Sequence, residues 1–443
     1  MSLKAALPGG PELMAFEPNR RVRCYHARSM EVPRLAPEPI ICGALEMKVL
    51  FATTSLPHLQ TTGGEIASQA FIDAIRKAGH NVEVFGFVRT AAPVPAGSIA
   101  VATRAIETRI AGISRYAWLA RALVRNRPYA CQKFVSTQYL RQLRRQSSHR
   151  KADILVLDHA RMGWLLPYAR DLALSVVLIA HNHEAKLFAD QARGQGRALH
   201  RQAFKRESRL FHELEARLAR EVDQVWTLSA AEQAAFRDMA GSSRKIARMD
   251  LPGLIFAPFP APAEAEFDIG LLGTWDWSVN GQGLDWFIQK IVPKLPTHLR
   301  IGIAGRGSER INGLHPNLRG LGYVDDPAAF LRQSRVLAIP STVGAGIQLK
   351  TINAISAAMP TVSTTIGVRG ITDLPRYVQI SDSPEQFAQK LLDQMDAPRP
   401  SADAGQQWAR NRQLRFGTQV AEQLAIMAAP IADARQVAAD FAR

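Results

Sequence analysis

This sequence predicts an α/β protein of two doubly wound domains facing a central cleft, on three observations. Short continuous runs of Val, Ile and Leu alternate with amphipathic helical stretches in both halves of the chain, as parallel sheets covered on both faces require. A proline-rich stretch without periodicity, FAPFPAPAEAEF at 256–267, interrupts that alternation. A length of 443 residues also exceeds what one ordinary core organises.

In chain order, residues 1–46 hold Pro8, Pro11, Pro18, Pro33, Pro37 and Pro39 with scattered charge and no apolar core. They are expected to be a flexible extension rather than a signal peptide, with Met47 a candidate functional start. A first domain is expected over 47–255. It opens on the strand MKVLFAT (47–53), followed by a helix from Glu65 to Ala78 that Gly79 stops. The strand NVEVFGF (81–87) and a long basic helical region lead to ADILVLD (152–158) and a helical stretch near 162–172. SVVLIAHN (175–182), a long charged helix near 197–221, DQVWTLS (223–229) and a further helix complete the set. Residues 256–266 read as the linker. A second domain over 267–400 is expected from the strands FDIGLLG (267–273), LRIGIAG (299–305), VLAIP (336–340), TVSTT (361–365) and YVQIS (377–381). Helical signals near 283–294, 326–334, 347–358 and 384–395 separate these strands, and a helical segment, 401–443, closes the chain.

Composition narrows the function classes. A hydrophobic content of 47% with 21% charged residues is globular, and no apolar run reaches the roughly 18–20 residues of a membrane span. Cys24, Cys42 and Cys131 are odd in number and lack metal-ligand spacing, which points to a reducing, cytoplasmic setting. The net charge of +16 is concentrated in residues 101–150, where eleven Lys and Arg face Glu107 alone. Tyr116, Trp118, Phe134 and Tyr139 are interleaved with these cations. Such a segment is either a solvated helix face or a surface for an anionic membrane or a nucleic-acid backbone. No nucleic-acid recognition module accompanies it, so no nucleic-acid partner is expected.

Several loops carry chemistry. GAGIQLKTINAISAAMP, from 344, sets Gly344 and Gly346 before a helix with Lys350 in its first turns. Free backbone N–H groups, the helix dipole and an ammonium there suit a phosphorylated ligand. Gly63-Gly64 follows the first strand, where missing Cβ atoms let backbone N–H groups approach a diphosphate. Asp158-His159 and His181-Asn182-His183-Glu184 end two strands on the face where such sheets bind ligands. Each imidazole is either a hydrogen-bonded loop histidine or a functional group of the site, and the residues alone do not choose among them. Gly305-Arg306-Gly307 ends a strand of the second half and presents a guanidinium suited to phosphate. Trp286 and Phe287 read as core at helical spacing. The chain has no D-x-D pattern, so no metal and no cofactor are expected.

The stretch 344–370 resembles the sugar-nucleotide site of the family-4 glycosyltransferases, the large retaining GT-B group. Gly344, Gly346, Leu349, Lys350, Ala354, Pro360, Val362, Ser363, Thr364, Gly367 and Gly370 fall in register with its pattern. The position that usually carries a ribose-binding glutamate is Asn353, and the one eight residues earlier is Ala345. Gly63-Gly64 resembles the family's G-G-x-E loop, and His181–Glu184 its H-N-x-E signature. Gly273–Phe287 matches G-x-x-D-W-x-x-N-x-x-x-x-x-W-F and sets Trp275, Trp277 and Asn280 under the donor. GYVDD (322–326) resembles the segment whose loop brackets the base. The resemblance implies the GT-B arrangement of two Rossmann-like domains, with the C-terminal helix packed back on the first. It implies a retaining transferase that moves a sugar from a nucleotide sugar donor to an acceptor glycan or lipid-linked glycan. Lys350 and Arg306 would stabilise the leaving diphosphate, and His159 and His181 would lie at the acceptor. Gly63, Gly64, Trp275, Asn280, Gly305, Gly344, Gly346 and Asn353 would line the donor. Asn353 also admits another class, a GT-B scaffold that has lost catalysis, since asparagine lacks the charge of glutamate.

Overall fold

The computed structural model describes residues 45–60, 62–90, 93–106, 111–194, 196–241, 245–253 and 265–441. Most of the extension expected at 1–46 and of the linker expected at 256–266 lies outside these residues, as do Cys24 and Cys42.

Two parallel sheets form the core. The first contains β1 (Lys48–Ser55), β2 (Asn81–Val88), β3 (Ser98–Thr103), β4 (Ala152–Asp158), β5 (Ala173–Ala180), β6 (Gln224–Thr227) and β7 (Lys245–Arg248). Its order is β3-β2-β1-β4-β5-β6-β7. The second contains β8 (Phe267–Leu272), β9 (Ile301–Ala304), β10 (Leu318–Gly322), β11 (Ser334–Ile339), β12 (Thr361–Ser363) and β13 (Val378–Ile380), in the order β10-β9-β8-β11-β12-β13. Each order reverses once, between β1 and β4 in one sheet and between β8 and β11 in the other. A crevice opens at such a switch point, at the carboxyl ends of the strands.

The helices α1 (Gly63–Lys77), α2 (Ser114–Val124), α3 (Tyr129–Gln132), α4 (Thr137–Ser147), α5 (Ala169–Leu172), α6 (Glu184–Arg193), α7 (Ala198–Glu221) and α8 (Ala230–Ala240) accompany the first sheet. With the second run α9 (Ser278–Trp286), α10 (Pro327–Arg332), α11 (Leu349–Ser356) and α12 (Pro384–Asp396), and α13 (Ala402–Phe441) ends the chain. No helix among the described residues is long and apolar enough to cross a membrane.

The central strands coincide with the apolar runs, ADILVLD spanning β4 residue for residue. The sequence reading passes over β3, β7 and β10. All three are edge strands, buried less completely than the centre, so SIAVAT, KIAR and LRGLG carry no continuous apolar run. The basic region is not one helix but three, with Pro128 at the N-cap of α3. Helix α6 is likewise separate from α7, ending at Gly194.

The long final helix α13 joins the two halves. Near its start Gly405 lies so close to the end of α11 that a Cβ would stand 2.6 Å from Ala358 N and Ser356 O. The Trp408 indole donates to Asp373 O at 2.7 Å. Arg412, fully buried, donates to Leu251 O at 2.7 Å and pairs with Asp373 at 3.4 Å. Beyond it Phe416, Val420, Leu424, Met427 and Ile431 follow helical spacing and are buried with Phe71 of α1 and with strand residues of the first sheet. Phe416 meets Phe71 edge-on at 4.9 Å.

Truncating Phe416 to Ala is expected to cost about 3–5 kcal/mol, the scale for a buried Phe. A denaturation midpoint unchanged from the parent would show that α13 contributes little to holding the first sheet.

Candidate active site

At the carboxyl end of the first sheet, β4 delivers Asp158 and His159 while β5 delivers His181. The His181 Nε2 lies 2.6 Å from Asp158 Oδ1, and the Ser68 hydroxyl of α1 donates to Asp158 Oδ2, also at 2.6 Å. His159 stacks on His181 with ring centroids 3.7 Å apart. Its φ of 76° lies in the left-handed region, a strained setting for a residue with a Cβ and one that concentrates at functional sites. Burial would raise the Asp158 pKa, but the imidazoles of His181 and His159 and both hydrogen bonds outweigh it and hold the carboxyl at about 2. Burial, together with the neighbouring His181, pushes His159 down to about 3, so this ring is neutral at physiological pH.

Asp158, His159 and His181 form a group whose ligand atoms lie within 4.8 Å of one another, as a metal site would need. Two of the three, His181 and Asp158, are already engaged with each other. The 2.6 Å contact between His181 and Asp158 is a hydrogen bond, and the second Asp158 oxygen is held by Ser68. Asp158, His181 and Ser68 form a hydrogen-bonded network that ties β4, β5 and α1 together, with His159 stacked on it.

Helix α1 begins at Gly63 rather than at Glu65, with the Thr62 hydroxyl capping Glu65 N. Gly63 and Gly64 therefore form its first turn, and neither has a positive φ. Their smallness serves close approach: a Cβ on Gly63 would be 3.3 Å from Leu349 Cδ1, and one on Gly64 3.6 Å from the His159 ring.

Leu349 opens α11, so the amino ends of α1 and α11 meet across the cleft. The loop before α11 needs glycine at Gly344 (φ 128°) and Gly346 (φ 80°). A Cβ on Gly346 would stand 2.9 Å from His181 O, which brings the donor-side loop onto the histidine strand. With its amide turned to satisfy its neighbours, Asn182 donates to Ala345 O at 3.1 Å and to His181 O at 3.2 Å. Arg369 fixes the loop from behind, donating to Gly344 O at 2.5 Å and to Gly346 O at 2.6 and 2.9 Å.

Lys350 is half-buried in the first turn of α11, its ammonium 5.6 Å from the centre of the Trp275 ring. Among the described residues it has no ion pair, and burial lowers its pKa to about 8. Trp275 is itself core, 3% exposed, and its indole donates to Ala304 O at 2.9 Å. Its backbone N–H donates to Arg306 O, leaving the Arg306 side chain exposed at the rim. Gly305 (φ 111°) is forced by a Gly273 carbonyl 1.8 Å from where a Cβ would sit.

Gly63, Gly64, His159, His181, Gly344, Gly346 and Lys350 thus converge on one cleft, with Trp275, Gly305 and Arg306 beside it. Asn280 instead donates to Thr274 O at 3.0 Å, holding the loop after β8. Asn353 lies against the segment leaving the first sheet, its Oδ1 3.4 Å from a Cβ built on Gly253. Ser68 and Arg369 are the contributors that sequence reasoning passed over, and Asn182, read there only as part of the H-N-x-E stretch, gains a role in holding the loop at Ala345. Ser68 carries no signal beyond adjacency to a motif, whereas Arg369 lies within the matched stretch, between Gly367 and Gly370.

Two family models match the chain, one described as a glycosyl transferase 4-like domain over residues 62–250 and one as glycosyl transferases group 1 over residues 266–396. No curated protein sequence matches. Among solved structures, HepE of Anabaena in complex with UDP and glucose is 13% identical, with a TM-score of 0.54 over 87% of this chain and 100% of that one. WaaG, a glycosyltransferase involved in lipopolysaccharide biosynthesis, is 15% identical with a TM-score of 0.51, over 85% of this chain and 98% of its own. WaaB, a lipopolysaccharide outer core galactosyltransferase in its apo form, is 13% identical with a TM-score of 0.50, over 86% and 99% respectively. At these identities the likeness is one of fold: two Rossmann-like domains.

The Lys350 ammonium is charged at neutral pH and loses its charge as pH rises through about 8. Nucleoside-diphosphate binding, measured by calorimetry, is expected to weaken by up to about tenfold per pH unit above that point. Lys350→Arg, whose guanidinium keeps its proton, is expected to remove the alkaline fall. The sign for folding is opposite: above pH 8 the unfolded chain binds the extra proton, so this group adds stability as pH rises toward 10.5. Binding that is level across this range would remove Lys350 from the anion site.

Proposed function

Because the chain belongs to the family-4 glycosyltransferases of the GT-B fold, we propose that it is a retaining enzyme acting in bacterial surface-polysaccharide or exopolysaccharide assembly. The donor is a nucleotide-diphosphate sugar and the acceptor a hydroxyl of a glycan or lipid-linked glycan. The observation that carries this reading is the meeting of the α1 and α11 amino ends, Gly63 against Leu349, beside Lys350, which has no ion pair among the described residues. Two positive helix ends and an ammonium favour the leaving diphosphate, which gains a negative charge as its bond to the sugar breaks, over the intact donor.

In the step proposed, the bond from the anomeric carbon to the diphosphate oxygen breaks, and its electron pair leaves with the diphosphate. Lys350, Arg306 and the amides at Gly64 and Gly346 stabilise that charge. The acceptor oxygen bonds to the carbon on the same face, and its proton passes to the departing phosphate oxygen. His181, oriented by Asp158, and the neutral His159 position the acceptor. No cofactor or metal takes part, since fixed cations neutralise the diphosphate.

Lys350→Ala is expected to lower transfer by about 2–4 kcal/mol of transition-state stabilisation, with folding little changed. Transfer at the parent rate would remove Lys350 from the reaction. Proton NMR of the product should show the anomeric configuration of the donor, and an inverted product would overturn retention. Asn353→Glu is expected to tighten donor binding by about 1–2 kcal/mol, the difference between charged and neutral hydrogen bonds. Weaker binding would mean that the pocket is built around the amide. Failure of both forms to bind any nucleotide sugar would favour the scaffold reading.

We also propose that the enzyme works at the cytoplasmic face of an anionic membrane. Helix α2 turns Tyr116, Leu119 and Leu123 outward, 59%, 45% and 56% exposed, with Arg115, Arg121, Arg125 and Arg127 around them. An apolar ridge among arginines suits the headgroup region of anionic lipid. Flotation with phosphatidylglycerol vesicles should be strong at low salt and fade as screening increases. Reversing Arg121, Arg125 and Arg127 to Glu should abolish it, with nucleotide binding as the control for folding. Flotation indifferent to salt and to the reversals would end the membrane role.

A further inference from the structure

A second basic feature lies on α6 and α7, where Arg206 of α7 also donates to Ala122 O of α2 at 3.0 Å. Helices α6 and α7 enclose an open groove of about 770 Å³, the size of a small-ligand site. Its lining includes the small side chains of Ala185, Ala189 and Ala192, together with Lys186, Arg193, Arg201, Lys205 and Arg209. Among the described residues no acidic side chain lines it. Asp190 engages Lys186 at 2.9 Å and Arg193 at 2.6 Å, and Glu213 engages Arg209 at 3.4 Å. Arg201 and Lys205 have no ion pair among the described residues and leave the groove with excess positive charge.

The groove also adjoins the proposed reaction site. His183, which lines it, is two residues from His181. At the far end of α6, a Cβ on Gly194 would be 3.4 Å from the Gln282 amide of α9, so the groove runs along the rim where the second domain begins.

We propose that this groove holds the phosphate-bearing part of the acceptor, and that the enzyme therefore glycosylates a phosphorylated saccharide. The inference rests on the transferase reading above. Lys186, Arg193, Arg201, Lys205 and Arg209 offer donors and no acceptor, and they outnumber the other polar side chains of the wall, His183, His212 and Ser208, whose hydroxyl donates to Ala185 O at 2.8 Å. Such a wall matches phosphate oxygens, which only accept, better than sugar hydroxyls, which need both roles. The small alanine floor leaves room for the saccharide that carries the phosphate.

Lactose 1-phosphate and lactose, titrated by calorimetry, test the proposal, with farnesyl diphosphate as a lipid-borne diphosphate. Lactose 1-phosphate should bind about tenfold or more tighter than lactose, with an affinity that falls as salt rises. The double variant Arg201→Glu, Lys205→Glu should lose that preference and keep UDP binding, which is assigned to the cleft by its weakening in Lys350→Ala. Farnesyl diphosphate competing more strongly than lactose 1-phosphate would point to a lipid-linked acceptor, and the reverse order to a soluble phosphorylated glycan. Equal binding of lactose and its phosphate, or an unchanged preference in the double variant, overturns the groove assignment. Failure of the parent protein to bind UDP or any nucleotide sugar, with phosphate selectivity in the groove intact, would instead defeat the transferase reading.

Discussion

The approach of two helix amino ends, α1 and α11, is the constraint on which the rest of this structure depends. Like dipole ends repel, so the arrangement costs free energy until an anion enters between them. The chain holds it by removing side chains where the halves touch. Gly63 admits Leu349, Gly346 admits His181 and Asn182, and Gly253 admits the Ile352 and Ser356 side chains of α11. A Cβ at Gly346 or Gly253 would stand within 2.1 or 2.5 Å of atoms of the other half, and one at Gly63 would press on the tip of Leu349 at 3.3 Å.

Helix α13 supplies the opposing force. It leaves the second domain with Trp408 and Arg412 anchored to Asp373, then buries Phe416, Val420 and Leu424 against the first. A buried arginine has little stabilising value by itself. Its placement gives specificity, since Arg412 must meet both Leu251 and Asp373, and this joins the end of the first sheet, the second domain and the final helix at one point.

On the histidine side the chemistry is set by burial and pairing together. Asp158 stays ionised in the core because Ser68 and His181 satisfy both of its oxygens. His159, partly buried and stacked on His181, stays neutral. The cleft thus contains an ordered imidazole pair facing a glycine-rich cationic loop, with Arg369 holding that loop through its carbonyls. Cations concentrate on the outer walls as well, on α2 and in the groove between α6 and α7, which is consistent with anions on both sides of the proposed reaction.

The sequence by itself determined the fold class, the central strands of both sheets and the glycine loops beside them. Each of these is a local property: strands buried on both faces must be continuously apolar, and backbone with positive φ or close contacts needs glycine. It also marked the stretch from Gly344 to Gly370, where many residues serve one ligand. The edge strands β3, β7 and β10 were not legible, because a strand covered less completely needs no apolar run. Nor was the division of the basic region into α2, α3 and α4, or the outward-facing Tyr116, Leu119 and Leu123, since local periodicity does not say which face a neighbour covers. Only the tertiary structure decided that Ser68 supports Asp158, that Trp275 is core, that Asn280 holds its own loop and that Asn353 lies beside Gly253. Those facts depend on contacts between segments distant in the chain or on how a loop closes, and neither leaves a spacing that can be read along the sequence.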